Sequence, residues 1–166
     1  VHSRGEIDRS DTFWVSGGSG AFRKSIFDKL GGFDKLYNPF YWEDVDLSYR
    51  GWKAGYKVLF EKKSTVVHEH EEGVIKKTTT PTRVQITALR NQFLFVWINI
   101  TDTSLIVSHL LWLPIHVGRA LIKGDWIFMK GFLFALLRLP EALKYRARNK
   151  KVFNVTDRQI LKQFVD

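Results

Sequence analysis

The sequence predicts an α/β fold over residues 1–80, followed by an α-helical tail over residues 81–166. In the first region, short apolar runs with the length and composition of β-strands are separated by glycine-rich turns and short helical segments. These runs are 12–15, 57–60 and 64–70. After Pro81 the pattern changes to long apolar stretches typical of helices. These stretches are 84–100, 104–122 and 126–145.

The charges are distributed unevenly between the two regions. The whole chain has 26 Lys and Arg against 17 Asp and Glu, a formal net charge of +9. Residues 1–80 have 13 basic and 12 acidic side chains, whereas residues 81–166 have 13 basic and 5 acidic ones. In the tail, basic residues interrupt long apolar runs, which suits an anionic lipid surface better than nucleic acid. The absence of cysteine excludes disulfides and thiolate metal sites.

A glycine-rich turn follows the first predicted strand. Its candidate functional residues are Gly17, Gly18, Ser19 and Gly20. Glycines permit tight backbone turns close to a ligand, but a surface turn would have the same composition. No Gly-Lys-Ser/Thr sequence follows, so the turn is not a P-loop. The next segment predicts a short helix that begins with a capping box at Ser25 and ends at Gly31.

A carboxylate-rich helix is predicted over residues 43–54, directly after three aromatic residues, Phe40, Tyr41 and Trp42. Carboxylates in the first turn of a helix are stabilised by its dipole, so a merely well-capped helix start is one interpretation. Asp46 and Arg50 are four residues apart and are expected to pair across one turn. The aromatic residues either present a stacking face to a ligand or pack in the core.

Two histidines follow at the end of the last predicted strand. His68 and His70 are two residues apart, so on a strand their side chains face the same side. The pair is either a metal-binding pair or a polar strand end. The sequence pattern alone leaves both interpretations open.

Taken together, the segments between Trp14 and His70 closely resemble family 2 glycosyltransferases of the GT-A fold, especially the rhamnosyltransferase-like branch. The matching segments, in order, are Ser16-Gly17-Gly18-Ser19-Gly20-Ala21-Phe22-Arg23, Leu30-Gly31-Gly32-Phe33-Asp34, Tyr41-Trp42-Glu43-Asp44-Val45-Asp46-Leu47-Ser48-Tyr49-Arg50, Ala54-Gly55-Tyr56-Lys57-Val58 and Val66-Val67-His68. The spacing from Asp44 to His68 also matches, whereas Lys62 stands where these enzymes often have proline. The helical tail matches only in general character.

The resemblance implies that residues 1–80 are the acceptor-side part of an incomplete GT-A domain. The parent enzyme would transfer a sugar from a nucleotide-sugar donor to a glycan or lipid-linked acceptor with inversion. The residue roles implied are Asp44 as catalytic base with Glu43 beside it, Gly17, Gly18, Ser19 and Gly20 as the loop against donor and acceptor, Tyr41 and Trp42 as acceptor-binding residues, and His68 as metal ligand.

The resemblance also implies a divalent metal cofactor, Mn²⁺ or Mg²⁺. The nucleotide-binding half of these enzymes and its Asp-x-Asp motif have no counterpart in residues 1–166. We therefore expect that other parts of the enzyme hold most of the metal and that this chain alone lacks the donor site. A catalytically inactive membrane-binding or interaction module is the alternative function, and a glycosidase is a weaker one because no paired-carboxylate signature distinguishes it.

The tail is expected to lie peripherally on the cytoplasmic face of a membrane. Its two longest apolar runs are 105–117 and 126–140. The first is interrupted by Ser108, His109 and Pro114 and the second by Lys130 and Arg138, so neither is expected to supply the ~20 apolar residues of a spanning helix. On a helical wheel over 126–145, basic residues oppose an apolar face. That face is predicted to contain Phe128, Phe132, Leu136, Leu139 and Leu143. Packing of this face on the catalytic domain or on a partner subunit is the alternative.

Overall fold

The computed structural model describes residues 10–66 and 78–164. Its helices, in chain order, are α1 (Lys24–Leu30), a 3-10 turn (Lys35–Tyr37), α2 (Glu43–Lys53), α3 (Pro81–Asn99), α4 (Thr103–Lys123), α5 (Trp126–Leu137), α6 (Leu139–Asn149), a second 3-10 turn (Lys150–Val152) and α7 (Asp157–Leu161). This part of the chain contains no β-strand, and one isolated antiparallel bridge joins Asp11 to Leu59. The described protein is all-α, so the prediction of an α/β GT-A half-domain is wrong.

The first of the extended segments that were expected to be strands bonds both to another extended segment and to a helix. The Thr12 N–H donates to the Val58 carbonyl at 3.0 Å and the Phe60 N–H donates to the Ser10 carbonyl at 2.5 Å, and these two bonds flank the isolated bridge between Asp11 and Leu59. The Val15 N–H instead donates to Ser48 Oγ at 3.0 Å, and the Trp52 indole N–H lies 3.2 Å from the Phe13 carbonyl oxygen. Because an isolated pair of strands is marginally stable in water, packing on α2 replaces sheet formation.

Two short helices, α1 and α2, were predicted from the sequence, and both form, with one exception in how α1 begins. Helix α2 was predicted over 43–54 and ends at Lys53, with Ala54 as its C-cap. Helix α1 ends at Gly31, which has a left-handed φ of 83°, as predicted. The expected capping box at Ser25 is wrong because the helix begins at Lys24 and Arg23 makes no side-chain capping bond.

The tail contains the three predicted apolar stretches as helices, with two differences in their continuity. Helix α4 continues through Pro114 and ends at Gly124, which has a left-handed φ of 66°. The stretch 126–145 divides at Arg138 into α5 and α6, because Pro140 stands in the first turn of α6 and disfavours continuous helix before it. The helical wheel drawn over 126–145 therefore treats two helices as one.

Helix α3 lies at the centre of the fold. It packs against α2, α5 and α6, and its approach to α5 is close: a Cβ at Gly131 would lie 2.8 Å from Leu89 Cβ. The buried core draws on both regions of the sequence. Its residues include Tyr37, Tyr49, Trp52, Leu94, Phe95, Ile98, Ala135 and Ile160. The carboxylate-rich helix α2 is thus held from one side by the tail.

A buried ion pair fixes α7 to α2. Lys53 Nζ lies 2.9 Å from Asp157 Oδ1, and both side chains are almost completely inaccessible to solvent. The same carboxylate accepts hydrogen bonds from the Tyr49 hydroxyl at 2.7 Å and from the N–H groups of Thr101 and Asp102 at 2.6 and 2.7 Å. One side chain therefore connects α2, the α3–α4 turn and α7.

Candidate functional site

An unusual backbone turn precedes the carboxylates of α2. Tyr41 and Trp42 have φ values of 70° and 76°, in the left-handed region that non-glycine residues rarely adopt. Each such residue costs roughly 1–3 kcal/mol and persists only when its surroundings impose it. The turn ends at Trp42, the N-cap of α2, and places Glu43, Asp44 and Asp46 in the first helical turn.

Asp44 lies beside the glycine-rich turn, as expected if the two motifs belong to one site. Its Oδ2 accepts a hydrogen bond from the Gly17 N–H at 2.9 Å, and its Oδ1 accepts one from the Val45 N–H at 2.8 Å. Two neutral donors leave further lone pairs on the carboxylate free for another hydrogen bond. The structure thus brings together two candidate motifs that are 27 residues apart.

Ser48 fixes the relative position of these two motifs, and the sequence analysis assigned it no role. Its hydroxyl donates to the Asp44 carbonyl oxygen at 2.7 Å and accepts from the Val15 N–H at 3.0 Å. The side chain is buried. A serine one turn after a candidate base is a weak sequence signal, since serine also bonds back to the carbonyl four residues earlier within ordinary helices.

Within the glycine-rich turn, the three glycines have different structural roles. A Cβ on Gly20 would lie 1.9 Å from Val15 Cγ1 and 2.7 Å from the Ser16 carbonyl oxygen, so only glycine fits there without a shift. A Cβ on Gly17 would make an ordinary 3.6 Å contact with Asp44 Cβ, and one on Gly18 would meet no atom within 4 Å. The Ser19 N–H closes the turn on the Ser16 carbonyl oxygen at 3.2 Å.

Glu43 and Asp46 flank Asp44 in sequence but differ from it in environment. Burial raises the pKa of Glu43, the neighbouring Asp44 adds to the effect, and Glu43 Oε2 is buried without a hydrogen-bond partner. Asp46 is fully buried and pairs with Arg50 at 2.6 Å, which confirms the predicted ion pair. It also accepts from the Tyr37 hydroxyl at 2.9 Å and from Asn99 Nδ2 at 2.7 Å. Asp46 is therefore inaccessible to a substrate.

The three aromatic residues before α2 differ in how exposed their side chains are. Phe40 is buried, and the Trp42 ring packs at 5.3 Å, centroid to centroid, on Phe95 of α3. Tyr41 is 43% exposed, so its ring is open to a ligand. The core-packing interpretation describes Phe40 and Trp42, and the predicted acceptor-binding roles of Tyr41 and Trp42 stay predictions.

Two polar residues of α3, neither identified from the sequence, hold the aromatic segment. Asn91 is fully buried, and its Nδ2 lies 2.7–2.9 Å from the carbonyl oxygens of Tyr37, Phe40 and Tyr41. The Arg90 guanidinium bonds to the Asn38 carbonyl oxygen. An Arg-Asn pair within an apolar helical stretch is the signal that could have identified them, because buried polar groups in such a position need specific partners.

An open cavity of about 330 Å³ lies between α1, α2 and the extended segments beside them. Its walls are mainly apolar and come from α1, α2 and the segments next to them, with two basic side chains, Arg23 and Lys57. Ser48 reaches this cavity, whereas Asp44 is not among its lining residues. The cavity is therefore a separate feature from the surface around Asp44.

The described residues provide no ready-made metal site. In residues 10–66 and 78–164, no three His, Asp or Glu side chains are grouped so that they could hold a metal ion. His68 and His70 lie outside the described residues. The predicted role of His68 and the predicted Mn²⁺ or Mg²⁺ cofactor thus remain predictions, and the residues around Asp44 do not by themselves fit a metal.

The tail presents a second candidate surface, formed by α4 and the outer face of α5. Large apolar side chains on it are exposed. They are Leu110, Leu111, Trp112, Ile115, Leu121, Ile122, Trp126, Leu133, Phe134 and Leu137. By contrast, Phe128 and Phe132 pack on Phe93 of α3 at 5.7 and 5.2 Å between centroids. These two residues of the predicted apolar face therefore pack within the tail, which is neither the membrane contact nor the packing on the catalytic region that the sequence analysis considered.

Helix α4 is also longer than the sequence analysis allowed. It has 21 residues, and its length and apolar composition alone are sufficient to cross a membrane. The expectation that no tail stretch reaches this length is wrong, because Ser108, His109 and Pro114 lie inside one uninterrupted helix. An apolar core helix would pass the same test of length and composition, but Ala120 is the one buried residue of α4, and the others are half-buried or exposed.

Comparison with known proteins gives one partial similarity. The chain is 42% identical over 55 residues to N-acetylglucosaminyl-diphospho-decaprenol L-rhamnosyltransferase of Mycobacterium tuberculosis, in strains CDC 1551 / Oshkosh and ATCC 25618 / H37Rv. The match covers 33% of this chain and 18% of the length of each relative. No protein-family model and no solved structure matches the chain significantly. Along one third of its length, this chain is similar to a glycosyltransferase.

Proposed function

We propose that this chain is part of an inverting glycosyltransferase that uses a nucleotide-sugar donor and a lipid-linked or glycan acceptor. The observation that carries the proposal is the 42% identity over 55 residues to an N-acetylglucosaminyl-diphospho-decaprenol L-rhamnosyltransferase. The contact between Asp44 and the Gly17 N–H supports it, because it places a candidate base beside the backbone turn predicted to face the substrates. Because the match covers 18% of the relatives' length, the rest of the enzyme is part of the proposal.

In the proposed reaction, Asp44 acts as the general base. A sugar hydroxyl is a poor nucleophile, and a carboxylate within hydrogen-bond reach accepts its proton as the oxygen attacks the anomeric carbon. The bond from that carbon to the donor phosphate breaks on the opposite face, and the leaving nucleoside diphosphate takes the electron pair. Attack opposite the leaving group inverts the anomeric configuration. We assign no step to a metal ion.

The residues near Asp44 support its proposed role as the base. Gly17 and Ser48 hold the carboxylate and its backbone in place, while Tyr41 offers an exposed ring against which an acceptor sugar can stack. Glu43 Oε2 is buried without a hydrogen-bond partner, so Glu43 is a less accessible base than Asp44. Asp46 is excluded as the base by its complete burial.

The test is turnover of a nucleoside-diphosphate L-rhamnose by the complete natural polypeptide that contains this chain, with a polyprenyl-diphosphate-linked sugar as acceptor. Asp44→Asn should lower turnover by roughly 100-fold or more, the usual scale for a lost general base, with donor affinity retained. Glu43→Gln is the matched control and should have a much smaller effect. Near-normal turnover of Asp44→Asn would remove Asp44 from this role.

We further propose that the tail attaches the enzyme peripherally to the cytoplasmic face of a membrane through α4 and α5. The exposed apolar residues on these helices are the specific observation that favours it. The excess of basic over acidic side chains in residues 81–166 adds attraction to anionic lipid. Attachment without turnover would support the alternative function, an inactive membrane-binding module.

Vesicle flotation tests the attachment. The protein should float with anionic vesicles, and the fraction bound should fall as salt concentration rises. Leu111→Glu on the exposed face of α4 should reduce binding, whereas Ser64→Glu, which adds the same charge outside the tail, should not. A protein that ignores the vesicles would refute the attachment. Retention after an alkaline carbonate wash would mean that α4 spans the bilayer and that the peripheral placement is wrong.

A further inference from the structure

The turn at residues 38–42 is held by hydrogen bonds from α3, which belongs to the helical tail. Asn91 Nδ2 lies 2.7 Å from the Tyr37 carbonyl oxygen and 2.9 Å from those of Phe40 and Tyr41. The amide group has two hydrogens for three carbonyl oxygens, so at least one hydrogen is shared between two acceptors. These bonds enclose the first of the two left-handed residues, whose carbonyl group is itself an acceptor.

Arg90 orients the Asn91 amide. The Arg90 Nε–H donates to Asn91 Oδ1 at 2.9 Å, which directs the NH₂ group of the amide toward the three carbonyl oxygens. The Arg90 guanidinium also bonds to the Asn38 carbonyl oxygen and lies 3.4 Å from that of Tyr37. Adjacent residues of one helix thus supply all the side-chain donors to this turn among the hydrogen bonds described.

The turn in turn determines where Asp44 lies. Trp42 is the N-cap of α2, so its left-handed conformation sets the direction in which the helix starts. Asp44 is the second helical residue and reaches the Gly17 N–H across 2.9 Å. A change in the turn would move the start of the helix and lengthen this contact.

We propose that Asn91, oriented by Arg90, is a positioning residue that holds the turn at 38–42 in the conformation that places Asp44 beside Gly17. The proposal rests on the proposed function, because it assigns Asn91 to the reaction of Asp44. It also makes α3 a structural part of the catalytic site, in addition to its packing against α5.

Two variants of Asn91 and one matched control test this in the complete polypeptide. Asn91→Asp keeps the shape of the side chain and replaces the donor NH₂ with an oxygen that faces three carbonyl oxygens. Asn91→Ala removes the group. The control is Leu94→Ala, because Leu94 is equally buried on the same helix but makes none of these hydrogen bonds.

In both Asn91 variants, kcat should fall about 10- to 100-fold while the KM for the donor stays within about twofold, since a shift of about 1 Å in a catalytic group can cost 100-fold. Hydrogen–deuterium exchange of peptides covering 38–45 should become faster in both variants. Leu94→Ala should change neither quantity at temperatures well below its Tm. Arg90→Lys retains the charge without the planar orientation and should give an intermediate loss of kcat.

Each other outcome has a separate meaning. Unchanged hydrogen exchange of residues 38–45 in Asn91→Asp overturns the proposal. It is also overturned if Asn91→Asp and Leu94→Ala, compared at equal thermal stability, have the same kcat. Faster exchange with unchanged kcat also overturns it, because the turn would then not position the base. If exchange accelerates while the unmodified protein transfers no sugar, the role of Asn91 in holding the turn is supported and the proposed function fails.

Discussion

Replacing Lys53 with methionine should destabilise the protein because it leaves the buried carboxylate of Asp157 without its cation. Lys53 Nζ and Asp157 Oδ1 are 2.9 Å apart in a site that solvent does not reach. Methionine has nearly the same length but no charge, so the variant leaves Asp157 buried without its cation. Breaking a buried pair in this way typically costs ~3–5 kcal/mol.

The hydrogen bonds that remain place the expected loss at the lower end of that range. Asp157 keeps the Tyr49 hydroxyl at 2.7 Å and the backbone N–H groups of Thr101 and Asp102. We therefore expect a loss of about 3 kcal/mol. At roughly 2–4 °C per kcal/mol for a protein of this size, Tm should fall by about 6–12 °C.

The loss should depend on pH in a defined direction. Burial raises the pKa of Asp157, but hydrogen bonds from Tyr49, Lys53 and the backbone outweigh it, so the pKa lies below its ordinary value of 3.8. A lowered folded-state pKa stabilises the protein above the unfolded value, and this stability is lost as pH falls through the folded-state value. The difference in Tm between wild type and Lys53→Met should thus be largest near neutral pH and shrink below about pH 4.

Thermal unfolding followed by tryptophan fluorescence at several pH values measures both effects. Lys57→Met is the matched control, because Lys57 is exposed and its replacement should change stability by no more than about 0.5 kcal/mol. The double variant Lys53→Met/Asp157→Asn should lose less than the sum of its single variants, since the two side chains interact directly. A Tm for Lys53→Met within about 2 °C of the control would refute the reasoning, given the scale above.

Two further predictions concern the candidate site. Gly20→Ala should destabilise the protein by about 1–3 kcal/mol because its Cβ would overlap Val15 Cγ1. Gly18→Ala, with open space at its Cβ, should retain the wild-type Tm. Equal Tm values for the two variants would contradict this. If the proposed enzyme uses Mn²⁺, His68→Ala should raise the Mn²⁺ concentration needed for half-maximal activity more than His70→Ala does, because only the Asp44 to His68 spacing matches the glycosyltransferases that the sequence resembles. Equal metal requirements in titrations of activity would remove His68 from this role.

The parts of the structure that depend on neighbouring residues could be predicted from the sequence. The carboxylate-rich helix α2 and its Asp46–Arg50 pair follow from spacing within one helix, and the structure has both. The left-handed end of α1 at Gly31 is similarly local. The sequence also predicted the glycine-rich turn and Asp44 as parts of one site, and the contact at Gly17 is consistent with that hypothesis.

The parts that depend on distant partners could not be predicted in the same way. Extended segments with strand-like composition form a sheet only where other strands pair with them, and here the first segment packs on Ser48 and Trp52 instead. The sequence also does not show which face of an apolar helix is buried. Phe132 packs on α3, whereas Leu133, the next residue, is 51% exposed.

The division of the sequence into a functional region and a tail therefore understates what α3 contributes to the candidate site. Asn91 and Asn99 are both fully buried on this one helix. Asn91 bonds to the turn before α2, and Asn99 Nδ2 bonds to Asp46, which in turn holds Arg50. Two buried amides that each satisfy polar groups around the start of α2 define its position more specifically than apolar packing alone would, because a displaced helix would leave them unpaired. A tail that binds a membrane through α4 and α5 would consequently hold Asp44 at a fixed position relative to that surface, since α3 packs on α5 and bonds to the turn that precedes the helix of Asp44.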